Sequence, residues 1–430
     1  MCSEYLPPRG MRDITGVEAE LYEYLFSEFR RVARSRGFQP VITPTVEYFK
    51  LFEVKSGEEV KKSMYVFEDK AGRLLALRPE VTASIVRVYL RLLRAQPKPV
   101  KLYYLAQCFR YEEPQYARYR EFWQGGLEVI GDPDVNADLG AAVTASEFLE
   151  SIGVKHFYLV GNVALYRNVM RSFNIDEEAQ DHILHLIDKE KVDEAVEEVK
   201  SRGGDIAAEV TSKLLSAESV DSVESYLQDL KSYLGDLYEK TLQEHMRVIE
   251  FTSALRELGY RVVYSPRLVR GLAYYTGLIF EYKTAGGELE VSIGGGGRYD
   301  GLTTVYSGPF EYATGLALGI DRIALVLSSN FQLREARSVS VLVLRDVPIS
   351  VGYKVLRLIP SNFKGFVYRV NSLSKGLKYA NRVGCDFAVI IGSVEYKQGK
   401  VVVKNMKTGE QVLVDINALP SLLNSSSGSS

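Results

Sequence analysis

Apolar positions along this chain recur at two periods, and the switches between them mark out its elements. Leu21, Leu25, Phe29 and Val32 fall four, four and three residues apart, one stripe of a helix that follows the turn-rich Pro7-Pro8-Arg9-Gly10. Leu74–Leu77 reads as a strand and Val81–Leu93 as a helix after Pro79. Lys101–Arg110 and Arg120–Ile130 read as two long strands joined by a polar segment holding Pro114, which predicts an antiparallel hairpin. Leu278–Lys283 and Leu289–Ile293 predict a second strand pair, and Tyr312–Leu318 a strand feeding a helix from Gly319. Beyond residue 337 the pattern alternates: strand Val339–Leu344, helix Val351–Leu358, strand Phe366–Val370, helix Leu373–Val383, strand Phe387–Ile391. That order implies a small sheet of parallel strands with covering helices, followed by short strands Lys400–Val403 and Gln411–Val414.

Charge divides the chain where the pattern does. Residues 176–240 hold 18 acidic and 7 basic side chains with helical periodicity throughout, a net −11. Residues 337–430 hold 13 basic and 5 acidic, a net +8, although the whole chain of 430 residues carries only −2. An acidic helical stretch therefore interrupts a near-neutral body, and a basic block follows, fit for a polyanionic partner. The overall balance excludes a uniformly basic nucleic-acid coat, and 46% hydrophobic content excludes global disorder. Three widely spaced cysteines, Cys2, Cys108 and Cys385, form no disulfide framework. No apolar run approaches a membrane span, and Met1–Tyr5 lacks a basic-then-apolar leader, so a cytoplasmic protein without a membrane anchor is expected.

Four segments suggest chemistry. On the second hairpin strand Phe122, Gln124, Gly126, Glu128 and Ile130 share one face, and Gly126 leaves space between Gln124 and Glu128. Arg110 shares a face with Cys108 and Ala106, so an anion gripped by Arg110 or a plain solvated sheet face both suit the pattern. In Leu268–Gly277 a single arginine, Arg270, sits among apolar residues ahead of Tyr274 and Tyr275; a bound anion would explain it, as would a surface strand end. Gly294–Gly297, before Arg298-Tyr299-Asp300-Gly301, allows backbone to approach a ligand closely. Arg322 falls in the first turn of a helix, where amide groups favour anions, with an Asp321–Arg322 pair as the alternative. There is no GxxxxGK[ST] loop, so a nucleotide would be held by side chains. His182 and His185 lie three apart on a helix without a Cys or third His, and no metal site is expected.

Taken in order, these segments resemble the histidyl-tRNA synthetase family of class II aminoacyl-tRNA synthetases over nearly the whole chain. Pro7–Asp13 resembles the family's opening motif, Val41–Glu47 motif 1, Leu77–Ala83 its LRPExTA segment, and Phe109–Glu112 through Glu128 motif 2. Leu268–Tyr275 and Gly296–Gly301 are similar to the two histidine signatures, and Gly315–Arg322 to motif 3. The resemblance implies an α+β fold: an antiparallel-sheet catalytic domain (1–170 and 243–328), a helical insertion (171–242) and a small α/β anticodon-binding domain (337–420); the Ser/Gly-rich end predicts a disordered tail (421–430). It implies ATP as substrate with Mg²⁺, L-histidine and tRNA(His) as partners, and a homodimer.

Roles carry over residue by residue. Arg110 would hold the ATP α-phosphate, Arg322 the γ-phosphate, and Glu112 the adenine or phosphates. Glu80, Thr82 and Gln124 would receive the amino group and position the carboxylate of histidine. Glu128 and Tyr275 would read the imidazole nitrogens, Tyr274 and Tyr299 would wall the pocket, and Arg270 would sit against the carboxylate and α-phosphate. Arg270 and Arg110 are the expected catalytic cations. The chain departs from the family at Ala273, Glu113 and Ala117, where Asp, Arg and Gly are usual. Other classes compatible with the pattern are a synthetase-like regulatory subunit of ATP phosphoribosyltransferase, a class II synthetase for another amino acid, and an inactive paralogue.

Overall fold

The first apolar stripe becomes the helix Gly16–Ser35, which buries Leu21, Leu25, Phe29 and Val32 together with Tyr22 and Phe26. In this computed structural model, residues 5–53, 62–113, 118–269, 274–286, 290–328 and 337–425 are described. The chain divides into two compact units, Met1–Phe331 and Gln332–Ser430.

In the first unit the strands are β1 (Gln39–Pro40), β2 (Val46–Tyr48), β3 (Val66–Glu68), β4 (Leu74–Leu77), β5 (Val100–Phe109), β6 (Glu121–Ile130), β7 (His156–Asn162), β8 (Val262–Tyr264), β9 (Leu278–Thr284), β10 (Ser292–Arg298) and β11 (Ala313–Gly319). Eight of them form one sheet in the order β1-β5-β6-β11-β10-β9-β7-β8, while β2-β4-β3 make a separate small sheet. The large sheet is antiparallel except for its outermost pairs, β1 with β5 and β7 with β8. One face packs against helices. An added Cβ at Gly125 would meet the ring of Phe29 at 3.2 Å, which shows how closely the first helix lies on β6. The acidic stretch forms helices Glu177–Asp188, Val192–Leu215 (kinked at Gly204) and Val220–Asp229, and Tyr238–Glu257 leads out of it. Their buried side chains join the same core as the sheet.

Several expectations shift. Only Thr82–Val88 of the expected 81–93 helix is α-helical, and Tyr89–Leu93 widens into a π turn. The partner of β9 is not 289–293 but β10, which runs straight through the four glycines. The reason is steric: a Cβ at Gly296 would stand 1.9 Å from the Gly315 carbonyl oxygen and one at Gly294 2.6 Å from that of Ala317. The glycines let β10 lie tightly against β11. Leu289 lies outside the described residues.

The second unit holds β12 (Ser338–Leu344), β13 (Lys364–Val370), β14 (Phe387–Ile391), β15 (Lys400–Asn405) and β16 (Gln411–Asp415) in the order β13-β12-β14-β15-β16. The first three are parallel, and β15 and β16 add antiparallel edges. The expected tail is ordered at its start. Leu419–Ser425 is a helix whose Leu419 and Leu423 are fully buried in this unit's core.

Candidate active site

The open face of the large sheet carries a cavity of about 640 Å³. Its lining brings together Glu80, Thr82, Arg110, Glu112, Gln124, Tyr274, Tyr275, Tyr299 and Arg322, nine of the eleven residues singled out from the sequence. Arg270 and its neighbours Gly271–Ala273 lie outside the described residues, as does Ala117. Glu128 is absent from the lining but belongs to the floor, 1% exposed.

Each side chain is placed by its element. Arg110 follows the end of β5 and donates from Nε to the Pro79 carbonyl at 3.0 Å, its guanidinium 5.5 Å from the Phe122 ring centre. Arg322 sits in the first turn of the helix Ile320–Leu327 and donates from Nη1 to the Ser292 carbonyl at 2.8 Å. The alternative Asp321–Arg322 pair is not what Asp321 makes. Its carboxylate accepts from the Tyr22 hydroxyl at 2.7 Å and the Trp123 amide at 2.6 Å.

Next to the Pro79 carbonyl that Arg110 holds, Glu80 turns back on its own chain and accepts from the amides of Thr82 (2.5 Å) and Ala83 (3.1 Å). Burial raises the Glu80 carboxyl above its usual range, against those amides and the charge of Arg110. The Glu128 carboxylate accepts from Thr82 Oγ1 at 2.9 Å and from the Tyr299 hydroxyl at 2.6 Å. Burial pushes Glu128 up to about 8, with those two hydrogen bonds pulling against it. Its Oε2 lies where a Cβ at Gly315 would be, 1.7 Å away, so β11 needs glycine opposite Glu128. Tyr274 packs against Tyr275 and Tyr299 with ring centres 5.0 and 5.9 Å apart. The Gln124 carbonyl oxygen accepts from the Cys108 thiol at 3.2 Å.

The space expected above Gly126 is taken. Tyr104, paired with Gly126 across the β5–β6 ladder, lays its ring there, and an added Cβ would come within 2.1 Å of it. Tyr104 thus becomes a wall of the cavity, a residue missed from the sequence; its signal was the glycine opposite. Lys189, from the acidic helical stretch, and Arg118 also line the cavity, with no local pattern to mark them. His182 bonds Glu198 at 2.6 Å, and among the described residues no group of three or more His, Cys, Asp or Glu is arranged to hold a metal.

A cavity that joins cations to a buried carboxyl, a threonine and three tyrosines suits a ligand pairing phosphates with a small polar ring. The family model described as histidyl-tRNA synthetase matches residues 10–323, and that of an anticodon binding domain matches 362–426. A histidine–tRNA ligase of Sulfolobus acidocaldarius is 37% identical over 98% of this chain and 99% of its own length. One of Sulfurisphaera tokodaii is 38% identical over 95% and 96%. Among solved structures, apo histidyl-tRNA synthetase of S. aureus is 26% identical with a TM-score of 0.69, covering 97% of this chain and 98% of that one. The enzyme from Nostoc sp. PCC 7120, 24% identical over 98% and 99%, has a TM-score of 0.74 and speaks for the fold alone.

Proposed function

Because the chain belongs to the histidyl-tRNA synthetase family, we propose that its cavity activates L-histidine with ATP and that the chain transfers the acyl group to tRNA(His). The chain is a histidine–tRNA ligase. The observation that carries the site assignment is the shared cavity: Arg110 and Arg322 open into the same hollow as Glu80, Thr82 and Tyr299. An oxygen of the histidine carboxylate attacks the α-phosphorus, the bond to the β-phosphate bridge breaks, and pyrophosphate leaves. The terminal ribose hydroxyl of the tRNA then takes the acyl group and AMP departs. No protein nucleophile is required; catalysis comes from alignment and from cations fixed where negative charge builds.

In this reading Arg110 holds the α-phosphate, Arg322 the γ-phosphate, and Arg270 the carboxylate and α-phosphate together. Glu112 meets the adenine or phosphates, with the Phe122 face beside Arg110 as a platform for the base. Glu80, Thr82 and Gln124 take the amino group and carboxylate of histidine, Glu128 and Tyr275 read the ring nitrogens, and Tyr274 and Tyr299 enclose them. An amino acid without two ring nitrogens offers Glu128 and Tyr275 no ring partner, a penalty that polar sites turn into discrimination of about 10⁴ or more. Mg²⁺ would be held mostly by phosphate oxygens and water, which suits a cavity without a ready-made carboxylate cluster among the described residues.

Residues 171–242 act as an insertion between catalytic segments 1–170 and 243–328, and the basic residues 337–420 bind the anticodon arm. A homodimer is supported by exposed apolar side chains around the segment similar to motif 1: Ile42, Val46 and Tyr48, with Phe67 and Leu74 on the same small sheet. No described helix is long and apolar enough to cross a membrane, and a cytoplasmic location fits this role. Pyrophosphate exchange measured with each of the twenty amino acids tests the reading. Exchange with histidine alone is expected; exchange with another amino acid, or none, overturns it.

A further inference from the structure

The opening segment Pro8–Asp13 is not described by any role given so far, yet it is tied closely to the ATP side of the cavity. Gly10, at φ +84°, brings its carbonyl to the Arg120 amide at 2.8 Å, and a Cβ there would meet the Arg120 side chain at 2.7 Å. This close turn delivers Arg12 to the helix Gly16–Ser35. Arg12 donates from Nη2 to the Tyr22 hydroxyl at 2.7 Å and also bonds Glu18. Tyr22 donates to Asp321 Oδ1 at 2.7 Å, and the other oxygen of Asp321 accepts the Trp123 amide at 2.6 Å. Tyr22 and Asp321 are both 4% exposed. The Arg12 guanidinium also lies 4.3 Å from the centre of the Tyr119 ring, which lines the cavity.

The position of Asp321 explains why this chain of contacts matters. The β6–β11 ladder ends at the pair Gly319–Gln124, and Trp123 lies one residue beyond it. Asp321 takes the amide that β11 no longer reaches, so a side chain continues the ladder just where strand turns into helix. Arg322 is the next residue on that helix, and Phe122 is the residue before Trp123. The relation between Arg322 and the Phe122–Arg110 wall is therefore set by the end of the ladder together with one carboxylate, which Tyr22 and Arg12 hold from behind. Asp321 faces Arg12 as its nearest cation, Nη2 to Oδ1 being 3.7 Å.

We infer that Arg12 and Tyr22 are positioning residues for ATP, setting through Asp321 the spacing between Arg322 and the strand that carries Phe122. The inference rests on the reading that ATP lies between those two walls. The histidine end, built on Glu80, Thr82, Glu128 and Tyr299, shares no hydrogen bond with this chain of contacts, which gives the inference a signature of its own. Tyr22→Phe deletes one oxygen and keeps the ring that packs on Phe26. In histidine-dependent pyrophosphate exchange it is expected to raise KM for ATP about tenfold while KM for histidine stays within about twofold. Arg12→Gln should do the same, and Arg12→Lys should recover part of the loss. If Arg12→Gln does not fold, Tyr22→Phe alone decides. An unchanged KM for ATP, or equal rises for both substrates alongside a lower melting temperature, reduces these residues to ordinary structure and overturns the inference. A wild-type chain without histidine-dependent exchange defeats the proposed function first, and ATP positioning with it.

Discussion

Burial pushes the Glu128 carboxyl up to about 8, and if Glu128 meets the imidazole, as proposed, histidine binding should respond to pH accordingly. The imidazole of free histidine titrates near 6.5. Between those values the pair of Glu128 and imidazole carries one shared proton, as a buried acid facing a ring nitrogen requires. Below about 6.5 a ring cation would meet an uncharged carboxyl. Above about 8 the carboxyl has lost the proton it would share with the ring, and a buried charge remains with only Thr82, Tyr299 and a neutral ring to offset it. The rate kcat/KM for histidine is therefore expected to be bell-shaped with limbs near those two values, and Glu128→Gln to lose the alkaline limb due to this group. The same raised carboxyl bears on stability: its contribution is fully present below the unfolded value near 4.3 and is lost as pH rises through about 8. The arginines act differently, through charge built up in the transition state. Replacing Arg110, Arg322 or Arg270 by Ala should each slow adenylate formation by about 10²–10³-fold, read by single-turnover AMP-anhydride formation with histidine saturating. That Arg110 and Arg322 line one cavity was legible because one arginine ends a strand beside small residues and the other opens a helix, while Arg270 lies outside the described residues. Tyr104 and Asp321 were not, since their roles depend on register and on contacts reaching 299 residues along the chain.

At the scale of elements, the glycines of β10 and β11 decide what the sheet can hold. Gly315 is needed because the Glu128 oxygen occupies the place of its Cβ. Gly315→Ala is expected to displace that carboxylate, raising KM for histidine at least tenfold, while its circular dichroism spectrum stays that of the parent. Gly296 differs in kind: its missing Cβ faces the backbone oxygen of Gly315, which has no rotamer to escape into. Alternation predicted β5 and β6 to within a residue because both faces carry distinct side chains, but a run of four glycines has no alternation to read, so β10 was misplaced. A second device joins elements end to end. Arg298, wholly buried at the end of β10, donates to Asp138 Oδ2 at 2.8 Å, to the Asp132 carbonyl at 3.1 Å and to the Asp134 carbonyl. It fastens the helix Val135–Ser151 and its leading turn to the sheet. Arg298→Met leaves Asp138 buried without its nearest cation and is expected to cost about 3–5 kcal/mol in urea unfolding. Adding Asp138→Leu should return part of that, because the isolated charge, not the lost pair, carries most of the penalty.

Over the whole molecule, histidine activation and tRNA recognition fall, in the proposed reading, on surfaces of different charge. Activation takes place in a cavity where every participant is small, and its electrostatics act at contact distance within a partly enclosed site. In the proposed reading tRNA is held by residues 337–430, where basic side chains outnumber acidic by 13 to 5. The acidic stretch 176–240, at a net −11, opposes broad contact with phosphates, although one of its cations, Lys189, lines the cavity. Salt should separate these surfaces. Each phosphate neutralised by the protein releases counterions, so affinity for tRNA falls steeply with ionic strength. If about three phosphates are neutralised, raising monovalent salt from roughly 50 to 200 mM weakens tRNA binding by roughly tens-fold. The KM for histidine in pyrophosphate exchange should move by less than about twofold over the same range, since contacts inside the cavity are screened far less than exposed ones. Neutralising Lys375 and Lys378, both exposed on the helix Leu373–Arg382, should flatten the salt slope for tRNA and leave exchange unchanged. An equal salt response of the two steps would mean that the positive block is not where the nucleic acid is held.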